Sequence, residues 1–337
     1  MKTILVTGGL GFIGSNTCVF LLQAGYNVVI VDNLYNAKYS VRTRIEAISK
    51  KKVKFYEIDI LHEDQLNNVF QQNKIDAVIH FAGYKAVGES VQKPLLYYEN
   101  NISGSLSLYR AMLKANCKYL VFSSSATVYG DPKQNPILEN FPLKTTNPYG
   151  TSKLMNEMIL SDICYADHDC SFMSLRYFNP IGAHQSGLLG ESPNGVPNNL
   201  VPYIAQVAKG QREYVKVFGN DYDTIDGTGV RDYIHVCDLA SGHLAALNYI
   251  FKHHGMEKIN LGTGQGYSVL QVIKAYEKAC HKTIPYQICA RRKGDIAACY
   301  ADISKAKRLL HWQAQYDLAT MCKDSWHFIK DNDESWY

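Results

Sequence analysis

Tyr149 and Lys153 lie four residues apart in Asn147-Pro148-Tyr149-Gly150-Thr151-Ser152-Lys153, which puts a phenol and an ammonium on one helix face, one turn apart. Asn147 suits an N-cap and Pro148 the first helical position, so the pair should stand where a loop becomes a rigid helix. Such a phenol could act as a general base. Its ordinary pKa of about 10 would have to fall by roughly 3 units, about 4 kcal/mol of preference for the phenolate. A lysine one turn away and a cationic cofactor ring could supply that preference. The same spacing also arises at ordinary amphipathic helix starts, so the pair needs company before it implies chemistry.

That company begins with Gly8-Gly9-Leu10-Gly11-Phe12-Ile13-Gly14, set between the apolar run Thr3-Ile4-Leu5-Val6-Thr7 and a helical pattern reaching Ala24. Gly8 permits a tight turn, Gly11 lets the backbone approach a pyrophosphate, and Gly14 lets helix and strand pack closely. The amides and dipole of the helix N-terminus then stabilise the anion. A second apolar run, residues 26 to 31, ends in Asp32, eighteen residues after Gly14, where a carboxylate would bind a ribose 2′-hydroxyl. It would also repel a 2′-phosphate, so NAD rather than NADP is the expected cofactor. As a turn carboxylate after a strand, Asp32 would need no ligand at all. Ser123-Ser124-Ser125-Ala126-Thr127 follows the fifth strand at its carboxyl end, where doubly wound sheets bind ligands. These hydroxyls could be turn residues only. With Tyr149 and Lys153 on the next helix, Ser125 becomes a candidate partner for a sugar hydroxyl or keto oxygen.

The elements that must position these residues alternate regularly. After the first strand, glycine turn, helix and second strand come a strand over residues 53 to 58, a helix over 63 to 72 and a strand over 77 to 80. A long helix beginning near Pro94, a strand at 119 to 123, the Tyr149 helix and a strand at 171 to 176 complete the series. This βα alternation predicts an α/β fold, a Rossmann doubly wound parallel sheet covered on both faces. Beyond Arg176, Gly182, Gly187, Gly190, Pro193, Gly195 and Pro197 arrive in quick succession, which places a boundary near Asn179. The expected organisation is an NAD-binding domain over residues 1–178 and a smaller mixed α/β substrate domain over 179–337, some of whose elements could pack back on the first. Within the second, helices are expected near 200 to 209 and 236 to 251, with a strand at 258 to 261.

Composition narrows the classes. At 337 residues the chain can hold one large domain or two ordinary ones, and 46% hydrophobic with 20% charged residues reads as soluble and globular. A net charge of +4 without a basic block longer than Lys50-Lys51-Lys52 gives no nucleic-acid footprint. The start, Met1-Lys2-Thr3-Ile4, is neither a signal peptide nor a membrane span, so a cytoplasmic protein is expected. Nine cysteines with no Cys-x-x-Cys pair argue against a disulfide framework or structural zinc, and eleven histidines show no metal spacing; no metal is expected.

Together the glycine turn, the serine and Tyr-x-x-x-Lys resemble the extended short-chain dehydrogenase/reductase family and, within it, the UDP-galactose 4-epimerase family. The narrower resemblance covers essentially the whole chain. It rests on Asp32-Asn33-Leu34, His80-Phe81-Ala82-Gly83, Lys85-Ala86-Val87-Gly88-Glu89-Ser90-Val91 and residues 122 to 130. It continues in Leu175-Arg176-Tyr177-Phe178-Asn179-Pro180, Pro197-Asn198-Asn199-Leu200, Phe218-Gly219-Asn220-Asp221-Tyr222 and residues 226 to 235. The resemblance implies that Gly8, Gly11, Phe12, Ile13, Gly14, Asp32, Asn33, Asp59, Ile60, Phe81, Ala82, Gly83, Lys85, Asn100, Tyr149, Lys153 and Phe178 line the NAD site. It implies that Ser125, Thr127, Tyr149, Tyr177, Asn179, Asn199, Leu200, Phe218, Arg231, Arg292, Asp295 and Cys299 hold a nucleotide sugar. Arginine forks suit a diphosphate. The implied chemistry is C4 epimerisation through a 4-keto sugar and transient NADH, with Tyr149 as base, Ser125 steadying the oxygen, and Lys153 depressing the phenol pKa and binding ribose.

Substrate range turns on Cys299. Family members limited to UDP-glucose and UDP-galactose resemble one another in carrying a bulky tyrosine four places after Gly-Asp, whereas here Gly294-Asp295 leads to Cys299. The lost ring would leave room for an N-acetyl group, so UDP-N-acetylglucosamine and UDP-N-acetylgalactosamine are expected substrates. Cys299 could instead be a neutral packing residue, or Tyr300 could reach the wall through a one-residue shift. An enzyme restricted to UDP-glucose and UDP-galactose is the alternative. A nucleotide-sugar 4,6-dehydratase would need an acid/base carboxyl pair beside the catalytic hydroxyl, and Ala126-Thr127-Val128-Tyr129-Gly130 offers none. A non-catalytic NAD-binding protein would be expected to have lost part of the Ser/Tyr/Lys set. The family also implies a homodimer in which the helix after Pro94 and the Tyr149 helix pair with their copies in a four-helix bundle.

Overall fold

The apolar runs form strands because both of their faces are covered. In Thr3–Thr7, Ile4, Leu5 and Val6 are all fully buried, the mark of a parallel strand between two helical layers. The computed structural model describes residues 1–192, 197, 199–292 and 294–332. Pro193, Gly195 and Asn198 of the quoted segments, and residues 333–337 of the expected second domain, lie outside the described residues.

Seven parallel strands form the main sheet, in the order Gly255–Leu261, Ser171–Tyr177, Tyr119–Ser125, Ala77–His80, Thr3–Thr7, Asn27–Asp32 and Lys54–Glu57. The order reverses at Thr3–Thr7, so the crevice beside its carboxyl end is the topological switch point where such sheets take ligands. Side chains alternate across the strands. Ile4, Val6, Ile30, Ile79, Val121 and Met173 pack toward helices Phe12–Gln23 and Val236–Ile250. Leu5, Val29, Val78, Leu120, Phe122 and Phe172 pack toward Glu63–Gln72, Gly104–Lys114 and Pro148–Ala166.

The second half of the chain does not stay on one side of residue 179. Helix Val236–Ile250 lies on the first core, and strand Gly255–Leu261 hydrogen-bonds to Ser171–Tyr177 as the sheet's outer strand. The compositional break at 179 marks loops, whereas the apolar surface of strand 171–177 requires a neighbour that the chain supplies 78 residues beyond its end. The remaining elements build a separate core from helices Leu200–Ala208, Val269–Cys280 and Leu318–Asp331 with strand Val215–Phe218. Between the two lies a small cluster of Val128, Tyr129, Ile137, Phe178 and Ala301.

One expected element has a different form. The long helix near Pro94 is an α-helical turn over Pro94–Tyr98, a π-helical turn over Glu99–Ser103, and an α-helix over Gly104–Lys114. The extra residue in the π-turn lets consecutive side chains, Asn100 and Asn101, both face the interior, where they are 6% and 3% exposed. All nine cysteines are free thiols, with only Cys289 and Cys299 less than fully buried.

Candidate active site

The glycine turn is built as a cradle. Gly8 has φ +66°, and a Cβ there would meet the Ala82 backbone nitrogen at 2.8 Å, so this crossing of two strand ends admits only glycine. A Cβ on Gly14 would lie 2.3 Å from the Gly8 carbonyl, which fixes how closely helix Phe12–Gln23 approaches the turn. No side chain caps that helix at Gly11, so the first-turn amides of Phe12 and Ile13 remain open to an anion. Asp32, at the end of its strand and 8% exposed, takes amide hydrogen bonds from Leu10 at 3.1 Å and Leu34 at 3.0 Å. Burial pushes its carboxyl pKa up, against these two bonds. Next to it Asn33 donates to Asp59 at 2.8 Å. An orphan helix N-terminus, glycines that a Cβ would obstruct, and a carboxylate one strand over fit a dinucleotide such as NAD.

Other expected cofactor residues gather at the same carboxyl edge. Phe81 packs its ring 4.7 Å from that of His243. A Cβ on Gly83 would lie 3.8 Å from the Lys153 ammonium, and Ala82 backs the Gly8 turn. Asn100 donates to Asn101 at 2.8 Å. Ile60 is 4% exposed and fills the space beside Gly104, so any part it plays is through its backbone. Phe178 is buried in the seam cluster. Lys85 reaches across the cleft to Glu191 at 2.9 Å, and Glu191 also accepts from Asn199 at 3.0 Å.

Tyr149 and Lys153 stand on the first turns of Pro148–Ala166, whose N-cap Asn147 accepts the Gly150 amide at 2.8 Å. The Ser125 hydroxyl lies near enough to the Tyr149 phenol to favour its ionised form, and its oxygen takes the amide of Thr127 at 3.2 Å and its hydroxyl at 3.0 Å. The electrostatics differ from the expectation in one respect. Burial raises the phenol pKa, and the Ser125 hydroxyl and the charge of Lys85 oppose that rise only in part. The Lys153 ammonium is 5.9 Å from the Tyr149 ring centre and donates instead to the Ser123 carbonyl at 2.7 Å. Its own pKa is pushed down by burial to about 8. The protein alone therefore favours a neutral phenol, because the dry pocket penalises charge more than its two helpers reward it.

Tyr177, buried beside them, is bonded to His243. Sequence reasoning missed His243, Ser123 and Glu191. It also missed Arg176 and Glu157, although a lone arginine in the fully buried strand Ser171–Tyr177 signals a partner that must be acidic.

The expected sugar-nucleotide residues come from the second core and the seam. Asn179 opens the short strand Asn179–Ile181, and Asn199 is the N-cap of Leu200–Ala208, with Leu200 packed on the second core. The Arg231 guanidinium donates to the carbonyls of Val230 at 2.8 Å and Ile296 at 2.9 Å. Arg292 lies 4.7 Å over the Phe218 ring and is paired with Asp295 at 2.8 Å. Cys299 pairs in register with Arg231 and packs on the seam cluster, alongside Ala126. Tyr300 turns the other way, toward Gly266. A strand sends successive side chains to opposite faces, so it is Cys299 that shares the Ala126 and Phe178 side.

The family model described as GDP-mannose 4,6 dehydratase matches residues 5–325. A UDP-glucose 4-epimerase of Bacillus subtilis is 56% identical over 329 residues, 98% of this chain and 97% of that protein. The UDP-glucose 4-epimerase of Bifidobacterium longum, solved with NAD+ and UDP, superposes with a TM-score of 0.95 at 55% identity, covering 98% of this chain and 99% of that one. The UDP-Glc/GlcNAc 4-epimerase of Campylobacter jejuni superposes with a TM-score of 0.87 at 36% identity, covering 98% and 100%. The chain therefore belongs to the broad family that the dehydratase model describes and, within it, to the UDP-glucose 4-epimerases.

Proposed function

We propose that this chain is an NAD-dependent UDP-hexose 4-epimerase that interconverts UDP-glucose and UDP-galactose, with Ser125, Tyr149 and Lys153 as its catalytic residues. The observation that carries the reading is the nearness of Lys153 and Ser125 to Tyr149 at the carboxyl edge of the sheet, beside a glycine turn and carboxylate fitted to a dinucleotide. Tyr149 takes the proton of the sugar 4-hydroxyl and returns it to the same oxygen after the 4-keto sugar has turned its other face to the cofactor site, and Ser125 holds the oxygen in both steps. Bound NAD supplies the hydride acceptor and its return, so C4 is inverted without net oxidation. Lys153 is buried between the Ser123 carbonyl and Gly83, a place from which its ammonium can hold a ribose. Arg231 and Arg292 offer the diphosphate two cations, Phe218 offers a flat wall, and Tyr177, Asn179, Asn199, Leu200, Thr127 and Asp295 complete the sugar-nucleotide pocket. Among the described residues the Ser125 oxygen is served by Thr127 and by no carboxyl group, which favours epimerisation over dehydration.

N-acetylated sugars belong to the same proposal. Cys299 shares the seam with Ala126 and Phe178, and a thiol there takes far less space than a phenol ring. The purified protein should convert UDP-galactose and UDP-N-acetylgalactosamine, each supplied alone, to their C4 epimers on chromatography, with no net NADH. Conversion of the first and none of the second would limit the range to the unsubstituted hexoses.

The assembly is proposed to be a homodimer. Leu95, Met155 and Met158 are 80%, 38% and 59% exposed, and Leu95, Tyr98, Ile102 and Met155 line one groove between the Pro94 and Tyr149 helices. A second copy of this helix pair would cover it in a four-helix bundle. No helix among the described residues is long and apolar enough to cross a membrane, and a cytoplasmic location fits a nucleotide-sugar substrate.

A further inference from the structure

Arg176 is the largest fully buried side chain in the described protein, and its contacts lead to the Tyr149 helix and, through Glu157, to the strand that ends in Ser125. Its Nε and Nη2 donate to the two oxygens of Glu157 at 3.0 and 2.7 Å. Glu157 stands on the Tyr149 helix, one turn beyond Lys153 and two beyond Tyr149. The same carboxylate takes the Ser124 hydroxyl at 2.6 Å, next to Ser125. Arg176 Nη1 donates to the Tyr129 hydroxyl at 2.8 Å and to the Glu139 carbonyl at 3.0 Å. Tyr129 in turn donates to Asn260 at 2.6 Å, and Asn260 donates to the Ile137 carbonyl at 2.8 Å. Ile137 donates to the Tyr300 carbonyl at 2.9 Å, beside Cys299.

Buried charge is expensive, so a pair placed here needs a compensating use. A dry apolar seam would have sufficed to pack the helix on the sheet. Here the Glu157 to Arg176 fork joins the Tyr149 helix to the strand of Arg176, to Ser124 on the neighbouring strand and to Tyr129 after it, and the fork is bidentate, the geometry that fixes direction as well as distance. We infer that Glu157, Arg176 and Ser124 are positioning residues that hold the Tyr149 helix at the one distance from the Ser125 strand end at which serine and phenol can bond. The inference rests on the epimerase reading above.

Ser124→Ala is the incisive variant, because it removes one strand-to-helix bond and leaves the ion pair and its remaining partners in place. In the full-length holoenzyme this variant should fold, keep NAD and hold its KM for UDP-galactose. Its kcat should fall on the order of tenfold from misplacement of the reacting groups. Moving Ser125 away from Tyr149 also removes help for the phenolate, so the acidic limb of the kcat profile should move to higher pH. Glu157→Gln should show both changes more strongly in whatever fraction folds. A folded Ser124→Ala protein with wild-type kcat and an unmoved limb would overturn the inference. So would a loss that merely follows the folded fraction with the limb unmoved, since that marks a structural role only. A wild-type protein that leaves UDP-galactose unconverted would refute the epimerase reading itself, a separate result.

Discussion

At the scale of single residues, the decisive group is a phenol that its own pocket keeps neutral. Burial raises the Tyr149 pKa, and Ser125 and Lys85 return part of the difference. A cationic cofactor ring would favour the phenolate, so the phenol should become a base only once NAD is bound. Tyr149→Phe should retain NAD and lose about 10² to 10⁴ in kcat, the usual worth of positioned proton transfer. Turnover assays with a measurement of bound NAD will check it, and near-full activity would remove Tyr149 from the mechanism. Cys299 decides a different question. Cys299→Tyr restores a ring to the side of the strand that faces Ala126 and Phe178. UDP-N-acetylgalactosamine conversion should fall below detection while UDP-galactose conversion persists, and equal loss of both would show that the position has no selective part.

At the scale of elements, two helices carry the argument. Helix Phe12–Gln23 can serve an anion only because its N-terminus sits hard against the glycine turn. Gly14→Ala places a methyl 2.3 Å from the Gly8 carbonyl, and the helix must move. The protein should then elute from gel filtration without NAD, measured by its absorbance after denaturation, while its fold persists. Full NAD content in that variant would contradict the close-packing account. The π-turn over Glu99–Ser103 is the element the sequence hid. An extended helical pattern from Pro94 says nothing about a one-residue expansion, because the apolar period is preserved on both sides of it. Its outward face belongs to the exposed groove. Met158→Glu, on the Tyr149 helix and 59% exposed, should convert a dimer to monomers in sedimentation velocity at micromolar protein. An unchanged sedimentation coefficient would move the interface elsewhere.

At the scale of the whole molecule, folding traps histidines in the neutral form. His80 bonds Thr7 and Ser105 on its two ring nitrogens, and burial followed by the Lys153 charge lowers its pKa to about 3. Burial takes His243 to about 4. In the unfolded chain both titrate near the ordinary value, so below it the unfolded state binds more protons than the folded state. The stability they confer is complete above pH 6.5 and is lost as pH falls toward the folded values, by roughly 1 kcal/mol per unit for each. The urea midpoint of wild type should drop between pH 7 and pH 5, and the drop should be smaller in the double variant His80→Asn, His243→Gln. Equal drops would assign the acid sensitivity to other groups.

The sequence by itself determined most strands of the main sheet, the glycine turn and the βα alternation that makes the sheet parallel, because these rest on local patterns. Periodicity, caps and glycine spacing act within a few residues, and Asn147, Gly8 and Asp32 stand in the local geometry their neighbours require. Only the tertiary structure decided which distant groups meet. The loop-rich stretch beyond Ile181 was legible, yet the return of Gly255–Leu261 to the sheet was not, since an edge strand's need for a partner does not say which later strand will fill it. The same holds for the site. Ser125, Tyr149 and Lys153 were legible as types and spacing, whereas the Lys153 bond to Ser123 and the Glu157 to Arg176 fork depend on where burial removes water. Charge and hydrogen bonding gain their strength from that exclusion, and exclusion is a property of the packed molecule.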